Sequence, residues 1–143
     1  MGIAASAKYR ASPYVYRFPP AFLEVQVLDK ILQDMISTVS GARAAIFLDD
    51  EGESIAESGH YDRDVKLLGA WKEIHLDHVR NITKRLGLGS VHAVLFSDDE
   101  GNELIVPVSG EYCLLVFLSA YTHVQDALIG IKSAAEQLSK EIE

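Results

Sequence analysis

Two histidines stand one turn apart in Glu73-Ile74-His75-Leu76-Asp77-His78, near the carboxylates of Glu73 and Asp77, with His92 further along the chain. A pair at that spacing on a helix can share a zinc ion, but a zinc site needs a third and fourth ligand, each oriented by its own hydrogen-bond partners. No HExxH pattern and no cysteine partner completes the set. The expectation is therefore solvated or interface histidines, and no metal. The single cysteine, Cys113, lies inside the apolar run Cys113 to Leu118. Nothing marks its surroundings as electropositive or exposed, so it reads as a small core residue and not as a nucleophile.

Carboxylates cluster in two near-repeats, Phe47-Leu48-Asp49-Asp50-Glu51-Gly52-Glu53 and Phe96-Ser97-Asp98-Asp99-Glu100-Gly101-Asn102-Glu103. A calcium loop of the EF-hand kind needs oxygen ligands at alternate positions before its glycine. Counting back from Gly52 and Gly101, the first ligand position falls on Phe47 and on Phe96. These segments are turns. Acidic residues and glycine suit positive φ and local side-chain bonds, and the apolar flanks read as the strands of two hairpins. Gly87-Leu88-Gly89 is too short for a phosphate loop and follows a helix where such a loop must precede one. With no nucleophile elbow and no CxxC pair, the chain carries no catalytic constellation. Neither an enzyme nor a bound cofactor is expected.

The 143 residues suffice for one domain with a sizeable core, and 48 % hydrophobic with 24 % charged residues is the balance of a globular chain. No apolar run approaches the ~20 residues of a membrane helix, so no membrane insertion is expected. A lone cysteine cannot form an internal disulfide, which points to a reduced, cytoplasmic setting. The net charge of −8 argues against a nucleic-acid partner. That charge is uneven. Residues 1–20 carry Lys8, Arg10 and Arg17 with no acid, leaving −11 on the rest of the chain. The same stretch holds Tyr9, Tyr14, Tyr16 and Phe18 among three of the prolines and has no apolar segment of the signal-peptide kind. It reads as a separate basic arm over 1–20, ahead of a domain over 21–143.

The elements follow from periodicity. Leu28, Ile31, Leu32, Met35, Ile36 and Val39 recur at helical spacing and predict a helix from about Ala21 to Val39, stopped by Gly41. Strands are expected over Ala42–Leu48 and Glu53–Glu57, the small residues of the second allowing close approach of a helix. A long helix runs from Asp62 or Asp64, acids suited to its N-terminal dipole, to Leu86, near Lys84 and Arg85. Its apolar residues cover more than one narrow stripe, enough to cover a sheet and meet another subunit. Three strands follow, Ser90–Phe96, Glu103–Val108 and Glu111–Leu118, the last apolar enough for a central strand. Thr122-His123-Val124-Gln125 fits a capping box, and Val124, Leu128, Ile131, Ala135, Leu138 and Ile142 give the final helix its apolar face. The order α-β-β-α-β-β-β-α predicts an α+β fold, an α/β sandwich-like arrangement with helices packed on a five-stranded antiparallel sheet.

With these elements in place the chain resembles the roadblock family, which includes the dynein light chains of that name and the bacterial MglB proteins. The likeness is carried by Val39-Ser40-Gly41-Ala42-Arg43-Ala44-Ala45-Ile46-Phe47 leading into Asp50-Glu51-Gly52-Glu53-Ser54-Ile55-Ala56. The strand from Glu111 to Leu118 and the helix after it add to it. The resemblance spans about residues 21–143 and implies a profilin-like fold. It further implies a homodimer or heterodimer in which the long helix and the third strand pair across a two-fold axis. The expected interface residues are Leu67, Trp71, Ile74, His78, His92, Val94 and Phe96. By the same resemblance such dimers serve as platforms for small Ras-like GTPases, and MglB-type members stimulate hydrolysis by reorganising the partner's own active site, so no arginine finger is assigned. The competing reading is a small-molecule sensory domain of PAS or GAF type, which shares a five-stranded antiparallel sheet. Such a sensor needs an internal cavity with convergent polar groups, whereas the strands here offer small and aliphatic residues that fill a core.

Overall fold

Proline needs no partner for a backbone N–H and so suits the first turn of a helix. The structure, a computed structural model, describes residues 20–62 and 64–143 and places α1 over Pro20–Thr38. The basic arm, but for Pro20, lies outside the described residues. Leu28, Leu32 and Met35 form the buried side of α1, and Val39, just past its end, is buried with them. At Gly41 the backbone takes φ +88°, which glycine adopts without steric cost, and the chain turns into β1 (Ala42–Leu48).

Both acidic segments are hairpin turns. Between β1 and β2 (Ser54–Gly59) the Asp49 carboxylate accepts the N–H groups of Glu51 and Glu53, each at 2.9 Å, while Gly52 takes φ +80°. Between β3 (Val94–Asp98) and β4 (Gly101–Pro107) the Asp98 carboxylate accepts from Glu100 at 2.9 Å and from Gly101 at 3.1 Å. The aspartates thus satisfy backbone donors that the tight turn leaves open. Gly101 departs from the expectation of positive φ. It pairs with Asp98 in the ladder, and glycine is required there for room, since a Cβ would lie 2.6 Å from the Leu118 carbonyl oxygen.

The long helix α2 covers Val65–Arg85, β5 covers Cys113–Leu118 and α3 covers Val124–Ile142. The strands form one antiparallel sheet in the order β2-β1-β5-β4-β3. β5 is central, with Val116 opposite Ala45 on one side and Leu104 on the other, and its side chains are fully buried. Side chains alternate across the sheet. Ala45, Phe47, Leu104, Leu114 and Val116 meet α1 and α3, while Ile46, Leu48, Ile105, Leu115 and Phe117 form a second core with Leu76 of α2. The molecule is a three-layer sandwich, and the small Ala56 of β2 is buried against the α1 side as its size suggested.

Several boundaries differ from the sequence expectation: β4 covers Gly101–Pro107 where Glu103–Val108 is expected, and β5 starts at Cys113 where Glu111 is expected. β3 begins at Val94, not Ser90. Val94 pairs with Ile105, so continuing the ladder would set His92 against Pro107. The Val108 N–H donates to the Tyr112 carbonyl on the β5 side at 2.8 Å, so the nitrogen of Pro107 faces β3. Proline has no hydrogen there to donate, and the ladder stops. The capping box is also absent. His123 precedes α3 and its side chain makes no cap bond. Thr122 is engaged in the preceding turn, where its hydroxyl lies 2.8 Å from that of Ser119. β2 likewise covers Ser54–Gly59, shifted from Glu53–Glu57 beyond an irregularity at Phe47 and Leu48.

Candidate functional site: the outer face of α2 and the edge strand β3

The Asp64 carboxylate accepts the Leu67 N–H at 3.1 Å and caps α2, and Lys84 and Arg85 stand in its last turn. Both arrangements complement the helix dipole. Inward, α2 presents Leu76, fully buried, and Gly69, where a Cβ would already sit 3.3 Å from Leu48 Cδ2. Outward, Leu67, Trp71, Ile74 and Ile82 are each about half exposed, at 56, 54, 48 and 56 %. With His78, also exposed, they follow at intervals of four, three, four and four residues, which is one stripe along the helix. An isolated exposed leucine needs no explanation, but a contiguous apolar stripe does.

The stripe leads onto β3. The rings of Trp71 and His75 are 6.3 Å apart and those of His75 and Phe96 5.7 Å. Phe96 and Val94 are half-buried against the α2-side core, while Leu95 points to the other face and is 45 % exposed. β3 is an edge strand in the sheet order. His92 goes elsewhere, lining a 390 Å³ cavity with Val106, Pro107, Lys132 and Glu136. Six of the seven residues expected on this face thus lie along α2 and β3, and His92 stands apart in the cavity. Ile82 and Leu95 belong with the exposed apolar group and are not among the expected interface residues. The spacing of Ile82 from His78 was a usable signal, whereas that of Leu95 depended on which face of β3 meets α2.

Charge lies beneath the helix. Lys72 Nζ stands 2.9 Å from Glu103 Oε2, off the angle of a hydrogen bond, and 3.9 Å from the centre of the Phe96 ring. Glu73 is 5 % exposed and its Oε2 has no hydrogen-bond partner. Burial pushes its carboxyl up to about 7; Asp77, Glu111 and Asp49 push the same way and Arg80 opposes them. The Cys113 thiol is pushed up to about 12, by burial first and by Glu73 second, which keeps it protonated and inert as a core residue. Among the described residues no group of three or more His, Cys, Asp or Glu is placed to hold a metal, and no helix is long and apolar enough to cross a membrane.

Sequence comparison is silent: no protein-family model and no curated protein matches the chain. Structural comparison is not. The gliding protein MglB of Thermus thermophilus matches with a TM-score of 0.76 at 13 % identity, over 92 % of this chain and 98 % of that one. The Roadblock/LC7 domain from Streptomyces avermitilis matches with a TM-score of 0.72 at 15 % identity, over 78 % and 94 %. LokiProfilin1, solved in complex with rabbit actin, matches with a TM-score of 0.57 at 14 % identity, over 80 % and 96 %. The chain has the roadblock fold, and the resemblance read from the sequence holds at that level. Its relation to profilin is the more distant one.

Proposed function

We propose that this chain is a non-catalytic dimeric scaffold or regulator of a small Ras-like GTPase, acting in the cytoplasm. The observation that carries the reading is the half-exposed stripe of Leu67, Trp71, Ile74 and Ile82 beside the edge strand β3. Each square ångström of apolar surface removed from water is worth about 25 cal/mol. A standard interface covers roughly 800 Å² per partner. A two-fold axis beside α2 would cover the stripe with its own copy and join the two β3 edges. The dimer's composite surface would then serve as the docking platform, with the GTPase supplying the catalytic groups. The similarity to MglB supports this assignment.

Two measurements test the reading together. Sedimentation at micromolar concentration should give a dimer, and a monomer of 15.7 kDa would overturn it. The tagged chain should recover a small GTPase from native lysate in a nucleotide-dependent way. Recovery of none, or GTP hydrolysis by the isolated chain, would reject the regulatory role.

A further inference from the structure

Glu73 is the one described carboxylate that is more than nine-tenths buried and has no counter-charge in ion-pair contact; the other deeply buried acid, Glu103, faces Lys72. It lies where the acidic β1–β2 turn rests on α2. A Cβ built on Gly52 would lie 3.5 Å from Ala70 Cα and 3.7 Å from Glu73 Cβ. The charged groups facing Glu73 are Asp77 and Arg80 on α2 itself, Asp49 at the turn, and Glu111 in the β4–β5 loop; the Cys113 thiol of β5 lies below. Arg80 is the sole cation of this set and is shared, 3.5 Å from Asp77 and 3.6 Å from Glu111. An ionised Glu73 would thus add a negative charge, out of water, to a site already rich in them.

We propose that Glu73 is a proton-controlled latch: protonated, it lets the β1–β2 turn pack on α2, and ionised, it releases the turn. The direction follows from linkage. The carboxyl holds its proton to about 7 when the turn is packed, against an ordinary 4.5 when it is solvated. The packed state is therefore fully favoured below pH 4.5 and loses ground as pH rises through 7. Release needs no unfolding of the sheet: Gly52 is the point at which the turn rests on α2, so losing that contact loosens the turn and opens its closing bond from the Gly52 N–H to the Asp49 carbonyl, 3.1 Å, whose amide therefore reports on it. The latch does not depend on dimerisation.

The test is amide hydrogen exchange of the full-length protein, with protection corrected for the intrinsic pH dependence of exchange. Protection of Gly52 should fall roughly tenfold between pH 6 and pH 8 and level off above, while Glu73→Gln, which cannot ionise, should vary by less than about twofold. Gly52 should also exchange faster than the core amide of Leu115 at every pH, as local opening requires. Glu111→Gln, removing a neighbouring charge, should move the transition to lower pH. A Glu73→Gln profile identical to that of the unmodified protein would overturn the latch. So would protection at Gly52 that tracks Leu115 throughout, because the carboxyl would then act only on global unfolding.

Discussion

Lys72 and Glu103 form an ion pair beneath α2, 2.9 Å apart, with side chains only 15 and 4 % exposed. Neither residue alone predicts it. Lys72 lies in a helix that reads as amphipathic, and Glu103 lies in a strand whose other inward residue on that face, Ile105, is apolar. The pair gives α2 a fixed point on the β4 half of the sheet, where the helix has fewer close neighbours than over β1. Taking two charges out of water is costly, so such a pair contributes little net stability, yet losing one partner strands the other.

The expected consequence is a strongly coupled double-mutant cycle. Lys72→Met should destabilise the fold by about 3 kcal/mol or more, because Glu103 is left charged and buried. Lys72→Met combined with Glu103→Leu should lie within about 1 kcal/mol of the unmodified protein. Urea denaturation of the four proteins gives the coupling. Additive losses would mean that the two groups do not interact.

Glycine replacements separate backbone strain from crowding. Gly59 and Gly89 both have positive φ, +85° and +88°. A Cβ on Gly59 would collide with the Arg43 carbonyl oxygen across the hairpin, whereas one on Gly89 meets nothing within 4 Å. Gly89→Ala should therefore cost only the conformational term, about 1 kcal/mol. Gly59→Ala should cost about 3 kcal/mol, as the β1–β2 ladder must also shift. Thermal unfolding of the two variants ranks them.

Much of this architecture is readable in the residues. Leu28, Leu32, Met35 and Val39 announce α1, the unbroken Cys113–Leu118 run announces a strand covered on both faces, and the paired aspartate–glycine segments announce two hairpins. What the sequence does not contain is the pairing of β1 with β5, a contact between segments far apart in the chain that no turn specifies. The β3 boundary also escaped, because its limit is set by a proline on the neighbouring strand. At the candidate site, helical spacing shows only that α2 is apolar beyond one narrow stripe; which of those residues face outward is set by how the helix seats on the sheet, with Leu68 inward and Leu67 outward. The displacement of His92 into the cavity beside α3 follows from the same proline, and the burial of Glu73 depends on where the acidic turn comes down. Periodicity has no access to either.

Cys113 offers a direct probe of the core. It is fully buried and its thiol is held protonated, up to about 12, so the reactive thiolate is scarce as well as inaccessible. In native protein at pH 8 a thiol reagent should modify it no faster than the protein unfolds, and labelling should become complete in denaturant. Rapid native labelling would show that the end of β5 opens to solvent.

The outer stripe makes the last prediction. Trp71 is 54 % exposed and its closest described ring neighbour is His75 at 6.3 Å, so the ring faces away from its own core. Trp71→Glu should then leave the fold nearly as stable as before, within about 0.5 kcal/mol, as for surface substitutions generally. Association is another matter. If Trp71 lies at the centre of a two-fold interface, the change removes an aromatic anchor and sets two carboxylates near each other in a desolvated patch, and such central residues carry a large share of binding energy, about 2 kcal/mol or more each. The dissociation constant should rise at least about thirtyfold, since each 1.4 kcal/mol is tenfold. Sedimentation across a concentration series, paired with circular dichroism, reads the two effects separately. A folded Trp71→Glu variant that remains dimeric at low micromolar concentration would move the interface off α2.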